Sequence, residues 1–288
     1  MNQTTSKAIA ANFMSYRLAA AAVVLAALSA AAGLFVPHLY RDSAAWIRQA
    51  QAADLVTLFA VAPTLAAALL RARRGSTAAR SIALGAVGYL VYNYAIFGFS
   101  VAINPMTPAH LAVLGLSVWS LVIGVIERVQ FPPLPTIQLP MPRRVTASYL
   151  VSIAVVFGLL WLGQIAQAIA SGTVPVELRD LGLATNPVYT LDLALALPLL
   201  VVAGVALLRR SSVGQELALA ALAWVVFMGL GVLAIFGFDA AAGAVVQVPI
   251  LILIAAITLI GLGLAAITVG GSTTRRPGQL GPRLESGS

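Results

Sequence analysis

Cysteine is absent from the 288 residues, which rules out disulfides, thiolate metal sites and cysteine nucleophiles. Charge is nearly as scarce. Only 9% of residues are charged, 60% are hydrophobic and mean hydropathy is +0.97, too little charge to cover a water-facing surface. Lys7 is the only lysine, so no apolar segment carries an amine for Schiff-base chemistry. The chain also lacks a Gly-rich nucleotide loop, an H-E-x-x-H zinc pattern and a Ser-His-Asp set that can be placed in one site. Its apolar runs lack the period-two alternation of barrel strands, which leaves helices as the spanning element.

What the chain does contain is eight long apolar runs, near 16–36, 54–71, 80–102, 110–129, 146–170, 189–208, 215–238 and 245–269. Each approaches the roughly 20 residues that cross a bilayer as a helix. The fold class expected is all-α, a polytopic membrane protein of eight transmembrane helices. The net charge of +8 would point to nucleic acid in a soluble protein; here it is a topology signal, and no nucleic-acid partner is expected. Lys7, Arg17, Arg71, Arg73, Arg74, Arg80, Arg128, Arg143, Arg144, Arg209, Arg210, Arg275, Arg276 and Arg283 fall at one end of the predicted bundle. Arg41, Arg48 and Arg179 fall at the other, so 14 of the 17 cations share a side. By the positive-inside rule both termini are cytoplasmic and the protein is a multi-pass component of the plasma (inner) membrane. Lys7 and Arg17 before an Ala-rich run imitate a secretory signal, but the repeat described next gives this segment a counterpart and argues that it stays.

Val36-Pro-His-Leu-Tyr-Arg-Asp42 begins a stretch that occurs twice. Sliding the chain by 138 positions lays Val36–Arg71 on Val174–Arg209 without a gap, with ten identities in 36 positions, including Asp54 on Asp192. Ala95-Ile-Phe-Gly-Phe99 and Ala234-Ile-Phe-Gly-Phe238 repeat at an offset of 139. These matches predict a tandem 4+4 parallel duplication: a first four-helix half at 1–130, a Pro-rich cytoplasmic linker at 131–145, a second half at 146–270 and a disordered cytoplasmic tail at 271–288. At the 138-residue offset Pro63 and Pro198 fall out of step, which predicts halves of different shape there.

The strong polar residues cluster at the end opposite the arginines. Asp54 is about 26 Å of helix from Arg71, which makes it either an interfacial helix-start charge or, with its repeat partner Asp192, one wall of a shared cavity. Asp42 or Ser43 is the expected N-cap of a helix carrying Trp46 and Ile47 that continues into the second span. Tyr89 and Asn93 share a helix face, as do Gln164 and Gln167. Asn93 is either a bundle-knitting hydrogen bond or a ligand contact. Gln51, Tyr92, Tyr189, Arg41 and Arg179 complete the candidate ligand-binding set, around the mouth between two parallel halves, where transporters of repeated architecture bind substrate. His38 and His110 are weak candidates for metal ligands beside Asp54 or Asp192; water-facing interfacial histidines are the plainer expectation. No cofactor is expected.

Gln51-Ala-Ala-Asp54-Leu-Val-Thr57-Leu, Tyr92-Asn93-Tyr94 and Val188-Tyr189-Thr-Leu-Asp192-Leu resemble patterns in bacterial multi-pass inner-membrane proteins of uncharacterised activity. The resemblance implies a membrane location and no particular chemistry. The function expected is binding of a small polar or amphipathic molecule from the outer side, as a transporter or sensor-like component. The alternatives are an outer-leaflet enzyme using Asp54 and Asp192, or a non-catalytic membrane assembly subunit.

Overall fold

The computed structural model describes residues 13–130, 141–183 and 185–273. The predicted Pro-rich linker, up to residue 140, and the predicted disordered tail from 274 onward lie outside the described residues. The described residues form nine helices: α1 Met14–Phe35, α2 Ala44–Arg73, α3 Thr77–Ser100, α4 Thr107–Gln130, α5 Arg143–Ser171, the short α6 Val176–Leu181, α7 Pro187–Leu208, α8 Ser212–Ala241 and α9 Val248–Thr273. All but α6 are long and apolar enough to span a membrane, which makes eight spans. Their outward faces are apolar: Leu28, Phe59, Leu159 and Ile252 are all more than 60% exposed, a pattern that suits lipid rather than water.

Small residues set the helix spacing. Ala19, Ala22, Ala26, Ala30 and Gly33 recur at helical intervals on the buried face of α1, where they let α2 and α4 approach closely, as small residues do between membrane helices. One close backbone approach joins the first four spans to the last four. A Cβ at Gly85 of α3 would lie 2.2 Å from the Ala220 carbonyl oxygen of α8, so only glycine fits this seam.

Ion pairs fasten the ends of the same bundle. At the arginine-rich end Glu216 of α8 accepts from Arg80 of α3 at 2.8 Å and from Arg128 of α4 at 2.6 Å. Glu127 caps the start of α1, accepting from the Met14 N–H at 2.6 Å, with the Ser15 hydroxyl also donating to it. At the other end Arg48 of α2 meets Asp239 of α8 at 2.6 Å. Six charged side chains thus tie helix to helix.

The second span begins earlier than its apolar run suggests. Ser43 caps it, accepting from the Trp46 N–H, and the helix continues from Ala44 as a single 30-residue span. Inside it, Thr57–Val61 forms a π-turn followed by Pro63; inside α7, Asp192–Ala196 forms a π-turn followed by Pro198. Proline lacks an N–H and its ring crowds the preceding turn, and a widened π-turn relieves both faults. The correspondence continues. Arg74 and Arg209 end their helices with nearly the same dihedrals. Gly75 and Arg210 both follow with positive φ, at 92° and 58°, and Ser76 and Ser211 both cap the next helix through their side chains.

Every one of these pairs is 135 residues apart, three fewer than the sequence match requires. In that frame Pro63 and Pro198 coincide, contrary to the out-of-step prolines expected from the sequence. Asp192 then corresponds to Thr57, and Asp54 to Tyr189. The two aspartates do not occupy equivalent positions.

Two substitutions test this packing. Gly85→Ala forces a methyl into the Ala220 backbone and should cost about 1–3 kcal/mol, read as a lower melting temperature in detergent. Glu216→Gln removes the charge that two partly exposed arginines share and should cost about 1–3 kcal/mol, a loss that high salt should shrink.

Candidate functional site

A cavity of about 230 Å³ lies between α2, α3, α5, α7, α8 and α9. Its walls come from the part of each span away from the arginine-rich end. α5 contributes Ile153, Phe157 and Trp161 at four-residue spacing, α8 contributes Trp224, Met228 and Ile235, and α9 contributes Ile254 and Ile257. One turn from Ile153 toward the arginines, the Tyr149 hydroxyl donates to the Ile257 carbonyl at 2.6 Å and joins α5 to α9.

Two polar groups in this largely apolar wall, Tyr92 and Trp161, meet at Asp192. Its Oδ1 accepts from the Tyr92 hydroxyl at 2.9 Å and its Oδ2 from Trp161 Nε1 at 2.8 Å, while the residue is 7% exposed. No arginine or lysine pairs with it among the described residues. Aromatic rings surround it: Trp161 lies 5.1 Å from Tyr189 and 6.0 Å from Phe157, and Tyr92 lies 5.6 Å from Trp224, edge-on. Two further side chains of the wall, Trp46 and Asn93, are buried with Trp46 Nε1 and Asn93 Nδ2 lacking hydrogen-bond partners. A buried donor without an acceptor costs about 1–3 kcal/mol, so the cavity holds an unfilled demand for an acceptor beside a carboxylate that lacks a counter-charge.

Of the residues singled out from the sequence, Tyr89, Tyr92, Asn93 and Asp192 line this cavity. Tyr189 stacks on Trp161 and donates to Gln164, which places both at its edge. Gln51 is half-buried and outside the wall, and Arg41, Gln167 and Arg179 are exposed. Asp54 is neither at an interface nor in this cavity. It sits ten residues into α2, 1% exposed, and turns toward Gly33 of α1, while Tyr40 of the loop after α1 donates to its Oδ2 at 2.5 Å. A paired acid and base made of Asp54 and Asp192 therefore has no common cavity to work in.

The histidines part in the same way. His38 is exposed, whereas His110 is buried against the rings of Tyr94 and Phe97, not the water-facing residue expected at a helix start. No group of three metal-capable side chains occurs among the described residues.

Sequence reasoning missed Trp46, Trp161 and Trp224 as site residues. The Phe157–Trp161 spacing was a usable signal for α5, but nothing in the order of residues announces that a tryptophan indole will reach an aspartate on another helix.

Tyr40 lies outside the spans, and its hydroxyl holds its proton well beyond the ordinary tyrosine range, first because it is buried and then because the Asp54 carboxylate is beside it. It remains a donor to Asp54 across the accessible pH range.

No family model matches the chain, and no curated protein or solved structure matches it either.

Proposed function

We propose that this multi-pass membrane protein binds an amphipathic molecule with a cationic head in the cavity at Asp192, as the binding step of a transporter or a sensor-like component. The observation that carries the proposal is one buried carboxylate, held by Tyr92 and Trp161 and lacking a counter-charge, in a largely apolar and aromatic cavity. A cation at Asp192 would supply that charge and would face the rings of Trp161, Tyr92 and Trp224, an arrangement worth about 0.5–2 kcal/mol per favourable cation–π contact. The apolar body of the ligand would lie along Ile153, Phe157, Ile254 and Ile257. A carbonyl or ether oxygen near the head would take the free donors of Trp46 and Asn93.

In this proposal the arginine-rich end faces the cytoplasm, which opens the cavity toward the outer half of the bilayer. The two groups of four spans are parallel repeats that have diverged, with the shared π-turn, proline and serine-cap sequence as the surviving trace. The cavity then falls between repeats, as in transporters built this way. A molecule that is part apolar and part charged also matches a site lined by both kinds of group better than a small polar solute does.

Three of the four tryptophans of the chain line the cavity, and the fourth, Trp119, is exposed, so intrinsic fluorescence reports on the site directly. Titrating tetraphenylphosphonium, a hydrophobic cation, into the purified protein should quench tryptophan emission saturably and raise the melting temperature. At about 100 times its dissociation constant a ligand adds about 2.7 kcal/mol. A neutral compound of similar shape should do neither, and Asp192→Asn should abolish the response while retaining the fold. Equal responses in wild type and Asp192→Asn would refute the cation site.

Asn93→Leu offers a second, opposite-signed check. Replacing an unpartnered buried amide by an apolar side chain should stabilise the ligand-free protein by about 1 kcal/mol. The same substitution should weaken binding of an amphipathic cation that carries an acceptor oxygen.

A further inference from the structure

The cavity at Asp192 is walled unevenly. On its α3 side Tyr89, Tyr92 and Asn93 are buried. At the end away from the arginines the Arg48–Asp239 pair straps α2 to α8, one turn beyond Ile235 of the wall. The part of the wall made by α5 and α9 is different, because these helices lean on different neighbours: α5 packs chiefly against α7, and α9 against α8. A latch holds them at one level. The Tyr149 hydroxyl of α5 donates to the Ile257 carbonyl of α9 at 2.6 Å, and a Cβ at Gly261 would fall 2.7 Å from that hydroxyl.

Past the latch the two helices part. Val156 and Leu160 follow Tyr149 by seven and eleven residues, which keeps all three on one face of α5, the face that the latch turns toward α9. Val156 and Leu160 are nevertheless 52% and 46% exposed, and no residue of α5 from Val155 to Ser171 is buried. The other helix mirrors this. Ile250, Leu253 and Ile257 form one helical stripe of α9, and Ile250 and Leu253, on the far side of the latch from the arginines, are 43% and 49% exposed. These four apolar side chains flank an open seam that runs about 16 Å from Tyr149 to Leu160 at about 1.5 Å per residue. Phe157 and Trp161, beside them on α5, and Ile254, beside them on α9, line the cavity, so seam and cavity are continuous.

Size gives the seam a use. The cavity holds about 230 Å³, less than the roughly 300–1,000 Å³ that encloses a drug-sized ligand. A cationic head and the first part of an apolar body fit inside. The remainder of a longer body has to continue elsewhere, and the seam offers it an apolar way into the hydrocarbon layer that surrounds the spans.

Resting on the cation reading of Asp192, we infer that the ligand is a chain-bearing amphiphile taken sideways from the bilayer, its head at Asp192 and its chain leaving between α5 and α9 in contact with lipid. The apolar chain never crosses water on this route. The head enters past Phe157 and Trp161, whose rings shield a cation from the hydrocarbon on its way to the carboxylate.

The test uses the full-length protein in nanodiscs of phosphatidylglycerol, whose headgroup carries no cation. The probe is dodecyltrimethylammonium with a diazirine at the end of its chain, activated by light, and the adducts are mapped by mass spectrometry. Adducts should concentrate on Val156, Leu160, Ile250 and Leu253. Excess tetraphenylphosphonium, which competes for Asp192, should lower them several-fold, while labelling of the lipid-facing Leu28 of α1, 64% exposed, should stay unchanged. Asp192→Asn should reduce the seam adducts to the level seen at Leu28; the competition in the wild type gives the same answer if that variant fails to fold. If tetraphenylphosphonium quenches tryptophan emission in an Asp192-dependent way but leaves the seam adducts untouched, the sideways route is overturned and the cation site stands. If it fails to quench the wild type at all, the cation reading falls and the route falls with it.

Discussion

The close approach of α3 to α8 is the constraint on which the rest of the bundle depends. Lipid offers helices little hydrophobic reason to associate, so their contact rests on shape and on a few polar bonds. Gly85 supplies the shape by admitting the Ala220 backbone. Glu216 then reaches Arg80 and Arg128 at one end, and Arg48 reaches Asp239 at the other. With the two groups of spans fixed at this distance, the space left between their far portions becomes the cavity, and Tyr92 of α3 comes within hydrogen-bond reach of Asp192 on α7.

The two buried aspartates show how differently one side chain can be housed. Asp192 has both oxygens occupied by neutral donors from other helices and opens onto a cavity of molecular size. Asp54 is enclosed by the backbone of α1, with one oxygen bonded and one not. The first arrangement leaves room for a body with many atoms; the second is closely packed against the neighbouring helix.

Much of the architecture was legible in the sequence because the solvent enforces it. A hydrocarbon layer demands long apolar helices, and all eight runs became spans. A cap at Asp42 or Ser43 was readable because such a side-chain oxygen has a fixed local target, and the structure gives it to Ser43, on the Trp46 N–H. The facing of Asp54 was not readable. Identity counts favoured an offset of 138, whereas the π-turns, the prolines after them and the serine caps correspond at 135, and nothing in composition marks the difference. An error of three residues is most of a helical turn, enough to assign an aspartate to the wrong wall. The tryptophans of the cavity were missed for a related reason: their partners are more than one helix away, and neither propensity nor periodicity records such distances.

The paired π-turns have a mechanical meaning. Each holds one residue more than an α-helical turn needs and lies just before the segment that carries the proline. Tightening such a turn to α geometry would displace the remainder of the helix by about 1.5 Å and twist it by about 100°. The second and sixth spans are therefore each two rods joined end to end through a widened turn, with Asp54 three residues before one joint and Asp192 within the other.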